Sequence, residues 1–341
     1  MNWTWFHKLG SPPTVFAFCG ALKPWLLTLG LIGIGIGIWQ GLFVAPADYQ
    51  QSDAYRIIFV HVPAAYIAQM CYMLVGIASF VALVWRMKVG HAVAAAAAPI
   101  GASFTVLALA TGSIWGRPMW GTWWEWGDPR LTSVLILLFL YVGYMVLRAS
   151  VNDPLKGDRA AALLAVVGLV NLPIIRYSVV WWSSLHQGAT LITEDGPRMP
   201  PAMLTPLLIS LAGFTLLFGY LLASRLRGEL VAREKKARWL RDRLGNVTSN
   251  SGSSQTVETL FIVVALTILG GYVGVAFLYP QDWPVLSAIR DSMSGYGAFV
   301  WLSYYLGFVI VVWNMLNAAN RVEQATQSAR RYAIRHEEVM A

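Results

Sequence analysis

The sequence has few charges and few cysteines. Asp, Glu, Lys and Arg make up only 12% of its 341 residues, whereas hydrophobic residues make up 57%. A water-soluble domain could not bury so much apolar surface in one core, so this composition is typical of a membrane protein. The two cysteines, Cys19 and Cys71, lie on the cytoplasmic side and inside the second apolar stretch, which disfavours a disulfide between them. No CxxCH occurs, which excludes a c-type cytochrome.

Two other absences concern targeting and ATP. The first long apolar run begins near residue 24 and has no small-residue cleavage site, so we expect no cleaved secretory signal and a cytoplasmic N-terminus. The chain also has no GxxxxGK[ST] loop. Any ATP hydrolysis that accompanies its function must therefore come from partner subunits.

Long apolar runs are what the sequence has in abundance. A helix needs about 20 predominantly apolar residues to cross a bilayer. Eight stretches approach this length, at 24–45, 58–85, 92–113, 131–149, 160–181, 202–224, 257–279 and 298–317. We therefore predict an all-α, polytopic integral membrane protein with about eight transmembrane helices, six in one bundle and two more after a linker.

The basic residues orient these helices. The net charge is +8, but with the N-terminus inside, nineteen of the 25 lysines and arginines fall in cytoplasmic segments. The outer segments receive only Arg56, Arg117, Arg130, Arg176, Arg198 and Arg290. This asymmetry follows the positive-inside rule, so it indicates membrane topology and no nucleic-acid partner. Both termini are predicted to be cytoplasmic.

A linker divides the chain into two predicted modules. The first is a six-span module over 1–244, whose last part, 225–244, has charges between helically spaced apolar residues and reads as a cytoplasmic extension of the sixth helix. Residues 245–256 are rich in Ser, Asn and Gly, a linker composition. The second module, 257–341, has two spans joined by an outer loop.

The middle outer loop, 114–130, is rich in tryptophan. Five tryptophans, Trp115, Trp120, Trp123, Trp124 and Trp126, alternate with Gly116, Gly121 and Pro118. A single tryptophan here would be an ordinary member of the aromatic belt at the membrane surface. Because Gly and Pro argue against a simple helix and let the backbone approach a partner, we interpret the loop as an apolar platform for a planar ligand.

Two histidines flank this loop. His61 lies at the outer end of the second span and His186 at the outer end of the fifth, whereas His7, His91 and His336 fall on the cytoplasmic side. Either histidine alone would be read as a hydrogen-bonded helix-end residue. Together, on separate helices beside an aromatic platform, they favour axial ligation of a heme iron by two imidazoles.

Outer arginines are candidates for binding the heme propionates, which need cationic partners near an apolar surface. Arg56, Arg117 and Arg130 are available, although each could also be an ordinary interface arginine. Asp128 and Glu125 could orient an arginine or a histidine. Nothing in the sequence marks them as a general acid and base.

The tryptophan-rich loop resembles the signature of the heme-handling (WWD) superfamily of cytochrome c biogenesis; it reads WGRPMWGTWWEWGDPRLTS. The neighbouring segments FVHVPAA and NLPIIRYSVVWWSSLHQGAT resemble those that hold the two histidines in its CcmC branch. The similarity runs through about residues 1–225. The family pattern ends WxWD, whereas here Gly127 separates Trp126 from Asp128.

The C-terminal part resembles CcmD, a small single-span partner of CcmC, from about residue 291. The resemblance rests on GYGAFVWLSY, followed by an apolar span and a basic tail. A six-span protein ends inside and a CcmD-like helix starts outside, so the extra span at 257–279 would restore the orientation. The chain thus looks like a fusion of the two.

The resemblance implies a function at the periplasmic face of the bacterial inner membrane. It implies that heme b is bound there and presented to a periplasmic heme chaperone of the CcmE type, with ATP-binding cassette subunits of the CcmA and CcmB types as further partners. His61 and His186 would be the axial ligands, the Trp loop with Gly116 and Asp128 the platform, and Arg56 and Arg130 the propionate partners. Whether the chain is itself an enzyme stays open. Two alternatives also stay open: a heme exporter and a b-type electron-transfer protein.

Overall fold

The computed structural model describes residues 10–186, 188, 196–245, 288 and 291–340. Within these ranges the chain is α-helical and contains no β-strand, only an isolated bridge between Asp48 and Ser52. In chain order the α-helices are α1 (Pro12–Trp39), α2 (Ile58–Trp85), α3 (Lys88–Trp120), α4 (Pro129–Ser150), α5 (Pro154–Gly168), α6 (Asn171–Trp181), α7 (Pro201–Arg233), α8 (Arg238–Gly245) and α9 (Gly297–Met340). A π-helical turn extends α1 to Val44, and a 3-10 turn, Asp53–Ile57, leads into α2.

The described residues contain seven helical segments that are long and apolar enough to cross a membrane, α5 and α6 together forming one of them. This confirms the prediction of an all-α, polytopic membrane protein. The eighth predicted span, 257–279, lies outside the described residues, as does the predicted linker from residue 246 onward.

Small residues allow the helices to pack closely. On α1 and α7, Gly33 faces Gly213, and a Cβ on either glycine would come within about 3 Å of the opposite backbone. Helix α3 is the most buried of the spans that the structure describes, and its run Ala94–Ala98 lies in the core. Close backbone approach at small residues is how membrane helices gain packing energy without a hydrophobic driving force between them.

Three helix boundaries differ from the predictions. The prediction of non-helical backbone over 114–120 was wrong, because α3 continues to Trp120 and ends only where Gly121 adopts a positive φ of 76°. Pro118 is tolerated in the last turn of α3. The predicted span 160–181 is broken at Leu169 and Val170, and the predicted extension of the sixth helix is interrupted between Arg233 and Arg238.

Helix α3 connects two chemically different ends of the bundle. Trp120, the two candidate histidines and the loop 121–128 lie at one end, which we call the outer end. Lys88, Arg148 and Arg233 lie at the other, the basic end. At about 1.5 Å per residue, the 33 residues of α3 span roughly 50 Å.

Helix α9 packs along the bundle from end to end. At the outer end the hydroxyl of Tyr304 donates to the carbonyl of Arg56 at 2.9 Å. In the middle the amide of Asn314 donates to Ser103 of α3 at 2.7 Å. At the basic end Arg321 pairs with Glu229 of α7 at 2.7 Å.

Candidate functional site

A cavity of about 370 Å³ opens at the outer end between α2, α3, α4 and α6. Both candidate histidines line it, and the rest of the wall is mostly apolar. The other lining residues are Val62, Ala65, Tyr66, Gln69, Ala108, Leu109, Gly112, Arg130, Leu131, Val134, Ile175, Arg176 and Gly188. Its size and its few polar groups in an apolar wall are typical of a small-molecule site.

His61 is held by the neighbouring helix α3. Its Nδ1 lies 3.0 Å from the Thr111 hydroxyl, which itself donates to the Leu107 carbonyl at 2.7 Å. Since the single hydroxyl proton is used on Leu107, the Thr111 oxygen accepts from the Nδ1–H of His61. This tautomer leaves the lone pair on Nε2, the atom that a metal would take. A Cβ at Gly112 would lie 3.0 Å from the His61 ring, so the glycine makes room for it.

His186 is held by the carboxylate of Asp128. Its Nδ1 lies 3.3 and 3.4 Å from the two carboxylate oxygens of Asp128. Asp128 also accepts from the Ser184 hydroxyl at 2.6 Å and from the backbone N–H of Leu185 at 2.8 Å. A carboxylate that receives the Nδ1–H of a histidine fixes its tautomer and leaves Nε2 as the metal-binding atom.

The same carboxylate begins helix α4. Asp128 is its N-cap, and one side-chain oxygen accepts from the backbone N–H of Arg130 and Leu131 at 3.0 and 2.9 Å. Pro129 follows at the first helical position, where its missing N–H costs nothing. Asp128 therefore connects the start of α4 to the segment that carries His186. It does so although Gly127 separates it from Trp126, unlike in the family pattern.

The surroundings favour an ionised Asp128 and a neutral His186. Burial alone would raise the pKa of Asp128, but hydrogen bonds from Ser184 and from backbone N–H groups, with the adjacent imidazole, bring it below its usual value. Burial lowers the pKa of His186; the Asp128 carboxylate opposes this shift, and the Arg130 guanidinium adds to it. A neutral imidazole is the form that coordinates a metal.

Two tryptophans of the last turns of α3 pack on the two histidines. The ring of Trp115 meets that of His61 edge-on at 5.7 Å, and its indole N–H donates to Gln51 at 3.1 Å. The ring of Trp120 lies 5.0 Å from that of His186. A Cβ at Gly116 would lie 3.0 Å from Trp120, so this glycine lets the indole fold against the helix.

The remaining tryptophans of the predicted platform lie in the loop that follows α3. Trp124 stacks edge-on against Trp126 at 5.4 Å, and Trp123 lies 6.3 Å from Phe299 of α9. Trp123 is 44% exposed and Trp126 is 71% exposed. None of these three lines the cavity. Trp123 and Trp126 therefore form an exposed aromatic surface at the outer end, which we call the Trp surface.

The three predicted arginines have different places. Arg130 lines the cavity, and its buried Nε has no hydrogen-bond partner among the described residues. Arg56 does not line it; its Nε donates to Asp53 at 2.7 Å and its Nη1 to the Gly41 carbonyl at 2.6 Å. Arg117 is exposed and bonds to the Gly121 carbonyl.

Sequence reasoning missed Thr111 and Ser184, which hold the two histidines, and it assigned no ligand role to Arg176, which lines the cavity. No local pattern marks a threonine one turn before Trp115 as a histidine partner. The Asp128-Pro129 pair before an apolar run is a helix-start signature, and it would have predicted the capping role of Asp128.

Comparison with known proteins gives a family match over most of the chain. The family model described as CcmC, Heme exporter protein C, matches residues 5–241. The Heme exporter protein C of Escherichia coli K12 is 47% identical over 238 residues, which cover 70% of this chain and 96% of that protein. Those of Haemophilus influenzae and Bradyrhizobium diazoefficiens are 45% and 46% identical over 239 and 229 residues, covering 70% and 67% of this chain and 97% and 86% of the relatives.

Proposed function

Since the chain belongs to the Heme exporter protein C family, CcmC, we propose that it binds heme b at the periplasmic face of the bacterial inner membrane and presents it to a periplasmic heme chaperone. One observation carries the proposal: His61 and His186 line the same cavity, and each has its Nδ1 engaged by its own chain. Both Nε2 atoms are thereby available for one iron.

The residues of the cavity fit heme in two further respects. The wall is mostly apolar, as a porphyrin face requires, and Arg130 offers a buried Nε that has no acceptor among the described residues. A propionate carboxylate is the group that would satisfy it, and a charge-assisted hydrogen bond of this kind is strong. Arg176, which lines the same cavity, is a second cationic partner. Arg56, with two donors already engaged, is better suited to holding the turn before α2.

The proposed chemistry is binding and orientation. His61 and His186 would hold the heme iron through their imidazoles. Thr111 and Asp128 hold the imidazole tautomers, and Trp115 and Trp120 restrict the rings from the side. The exposed indoles of Trp123 and Trp126, at the same end of the bundle as the cavity, offer a docking surface for a chaperone of the CcmE type.

Helix α9 would act as the CcmD-like part of this assembly. Its outer end contacts the Trp surface through Phe299 and the turn that carries Arg56 through Tyr304. The family match ends at residue 241, so this assignment rests on the sequence resemblance and on these contacts. ATP-binding cassette subunits of the CcmA and CcmB types would supply the energy that this chain has no motif to provide.

Co-purification with a tagged heme chaperone, followed by a heme stain of the denatured chaperone, tests the proposal. We expect heme on the chaperone only when the full-length protein is present. Absence of heme on the chaperone in both cases would contradict the transfer role. Proteoliposomes loaded with heme inside separate the rival function, because delivery to an outside acceptor would indicate export.

A further inference from the structure

A second cavity, of about 420 Å³, lies at the basic end of the bundle, opposite the heme cavity. Its wall combines apolar side chains with arginines from α4, α7 and α9. The lining residues are Ala95, Pro99, Tyr144, Met145, Arg148, Ala149, Val151, Pro154, Asp158, Arg225, Arg233 and Arg321. Nothing in the proposed heme function uses this cavity.

Two buried carboxylates serve three of its arginines. Arg148 pairs with Asp158 at 3.0 Å and with Glu229 at 2.8 Å. Arg233 pairs with Asp158 at 2.6 Å, and Arg321 pairs with Glu229 at 2.7 Å. The side chains of Asp158 and Glu229 are only 2% and 3% exposed, so the network is fixed within the bundle.

The fourth arginine of the cavity, Arg225, has neutral hydrogen-bond partners. Arg225 is 6% exposed, and its Nε and Nη1 donate to the Ala96 carbonyl and to the amide oxygen of Asn317. Both partners are neutral, and no ion pair seen in the described part of the chain involves Arg225. With four arginines against two carboxylates, the cavity and its rim carry an excess of two positive charges.

A buried guanidinium whose charge is not compensated is costly, even when its hydrogen bonds are made. An anion in the cavity would remove this cost. The apolar part of the wall, with Met145, Val151 and Pro154 at the helix ends, suits a ligand that joins an anionic group to hydrocarbon. Basic pockets between membrane helices on the cytoplasmic side are typical sites for anionic lipid headgroups.

We propose that this cavity binds the phosphate group of an anionic phospholipid from the cytoplasmic leaflet. Arginine is the side chain suited to phosphate, because its planar fork donates two parallel hydrogen bonds. Arg321 comes from α9 and the other three arginines from the first module, so the bound headgroup would join α9 to the six-span bundle. The inference does not depend on heme binding.

Native mass spectrometry of the full-length protein tests this inference. Delipidated protein is titrated with phosphatidylglycerol or phosphatidylcholine of the same acyl chains, and separately with inorganic phosphate as competitor. We expect phosphatidylglycerol to bind at least tenfold more tightly than phosphatidylcholine, and millimolar phosphate to leave it bound. Equal affinity for the two lipids would overturn the proposal of an anion-selective site. Full displacement of phosphatidylglycerol by inorganic phosphate would overturn the proposal that the ligand is a lipid.

Three variants test whether phosphatidylglycerol binds in this cavity. Arg225→Gln and Arg321→Gln should each weaken phosphatidylglycerol binding about tenfold or more, as loss of one charge-assisted hydrogen bond does. The matched control is Arg159→Gln, an exposed arginine of α5 outside the cavity, which should leave the affinity unchanged. Should Arg225→Gln fail to fold, Arg321→Gln decides, because its side chain is 45% exposed and Glu229 keeps its pair with Arg148. Wild-type affinity in Arg321→Gln would overturn the proposal.

Discussion

The replacement of Thr111 by valine tests how the chain prepares His61 for iron. Valine keeps the β-branched shape of the side chain on α3 and removes only the hydroxyl that accepts the Nδ1–H of His61. In the variant this N–H loses its side-chain acceptor. The imidazole can then turn to place its N–H in the cavity, where the wild-type protein presents the Nε2 lone pair.

The expected loss follows from the hydrogen bond that disappears. Leaving a buried donor unsatisfied costs roughly 1–3 kcal/mol, or a factor of about 5 to 150 in a binding constant. Partners that orient a metal-ligating histidine typically contribute about 10–100-fold in metal affinity. We therefore expect Thr111→Val to bind heme about 10–100-fold more weakly than the wild-type protein.

Heme titration of the purified protein, followed by absorption spectroscopy, measures this loss. Thr105→Val is a matched control, because Thr105 is also buried on α3 and also bonds to the carbonyl four residues earlier, but lies outside the cavity. We expect the control to keep wild-type affinity. Equal affinities in both variants and the wild type would refute the tautomer argument, and equal losses in both would attribute the effect to α3 in general.

Three other substitutions test the rest of the cavity. Asp128→Asn keeps a good N-cap but removes the charge that faces His186, so heme affinity should fall about 10–100-fold while the thermal midpoint of the apoprotein changes little. Gly112→Ala would put a Cβ 3.0 Å from the ring of His61 and should therefore shift the heme absorption bands. An unshifted spectrum would show that the His61 ring is free to move. Arg130→Gln should weaken the binding of heme but weaken the binding of heme dimethyl ester at most slightly, because the ester has no propionate carboxylate. The control Arg198→Gln, at an exposed arginine, should weaken the binding of neither ligand. An equal loss of affinity for both ligands in Arg130→Gln would contradict a propionate contact.

The fold class could be predicted from the sequence because each bilayer crossing requires a long apolar run, and such runs are unmistakable in composition. The ends of the helices were harder to predict. Pro118 and Gly116 suggested a loop, but a proline in the last turn of a helix removes little hydrogen bonding, and α3 continues to Trp120. The break at Leu169 and Val170 lies just before Asn171, whose side chain donates to the Ser133 carbonyl across to α4 at 2.9 Å.

The candidate site was predictable only in part. The topology of the spans was enough to put His61 and His186 at one end, and both line one cavity. The partners that orient them could not be predicted, because Thr111 and Ser184 are common residue types whose role depends on contacts between distant segments. The same holds for Arg56, whose donors are used by Asp53 and by the Gly41 carbonyl, 15 residues away in sequence.

Ligation of one heme iron by His61 and His186 is the central claim, and the absorption spectrum of the purified heme complex tests it most directly. We expect the wild-type protein to give the spectrum of iron with two imidazole ligands. His61→Ala and His186→Ala should each abolish it, while His91→Ala, at the basic end of α3, should retain it. An unchanged two-imidazole spectrum in both single variants would contradict the account.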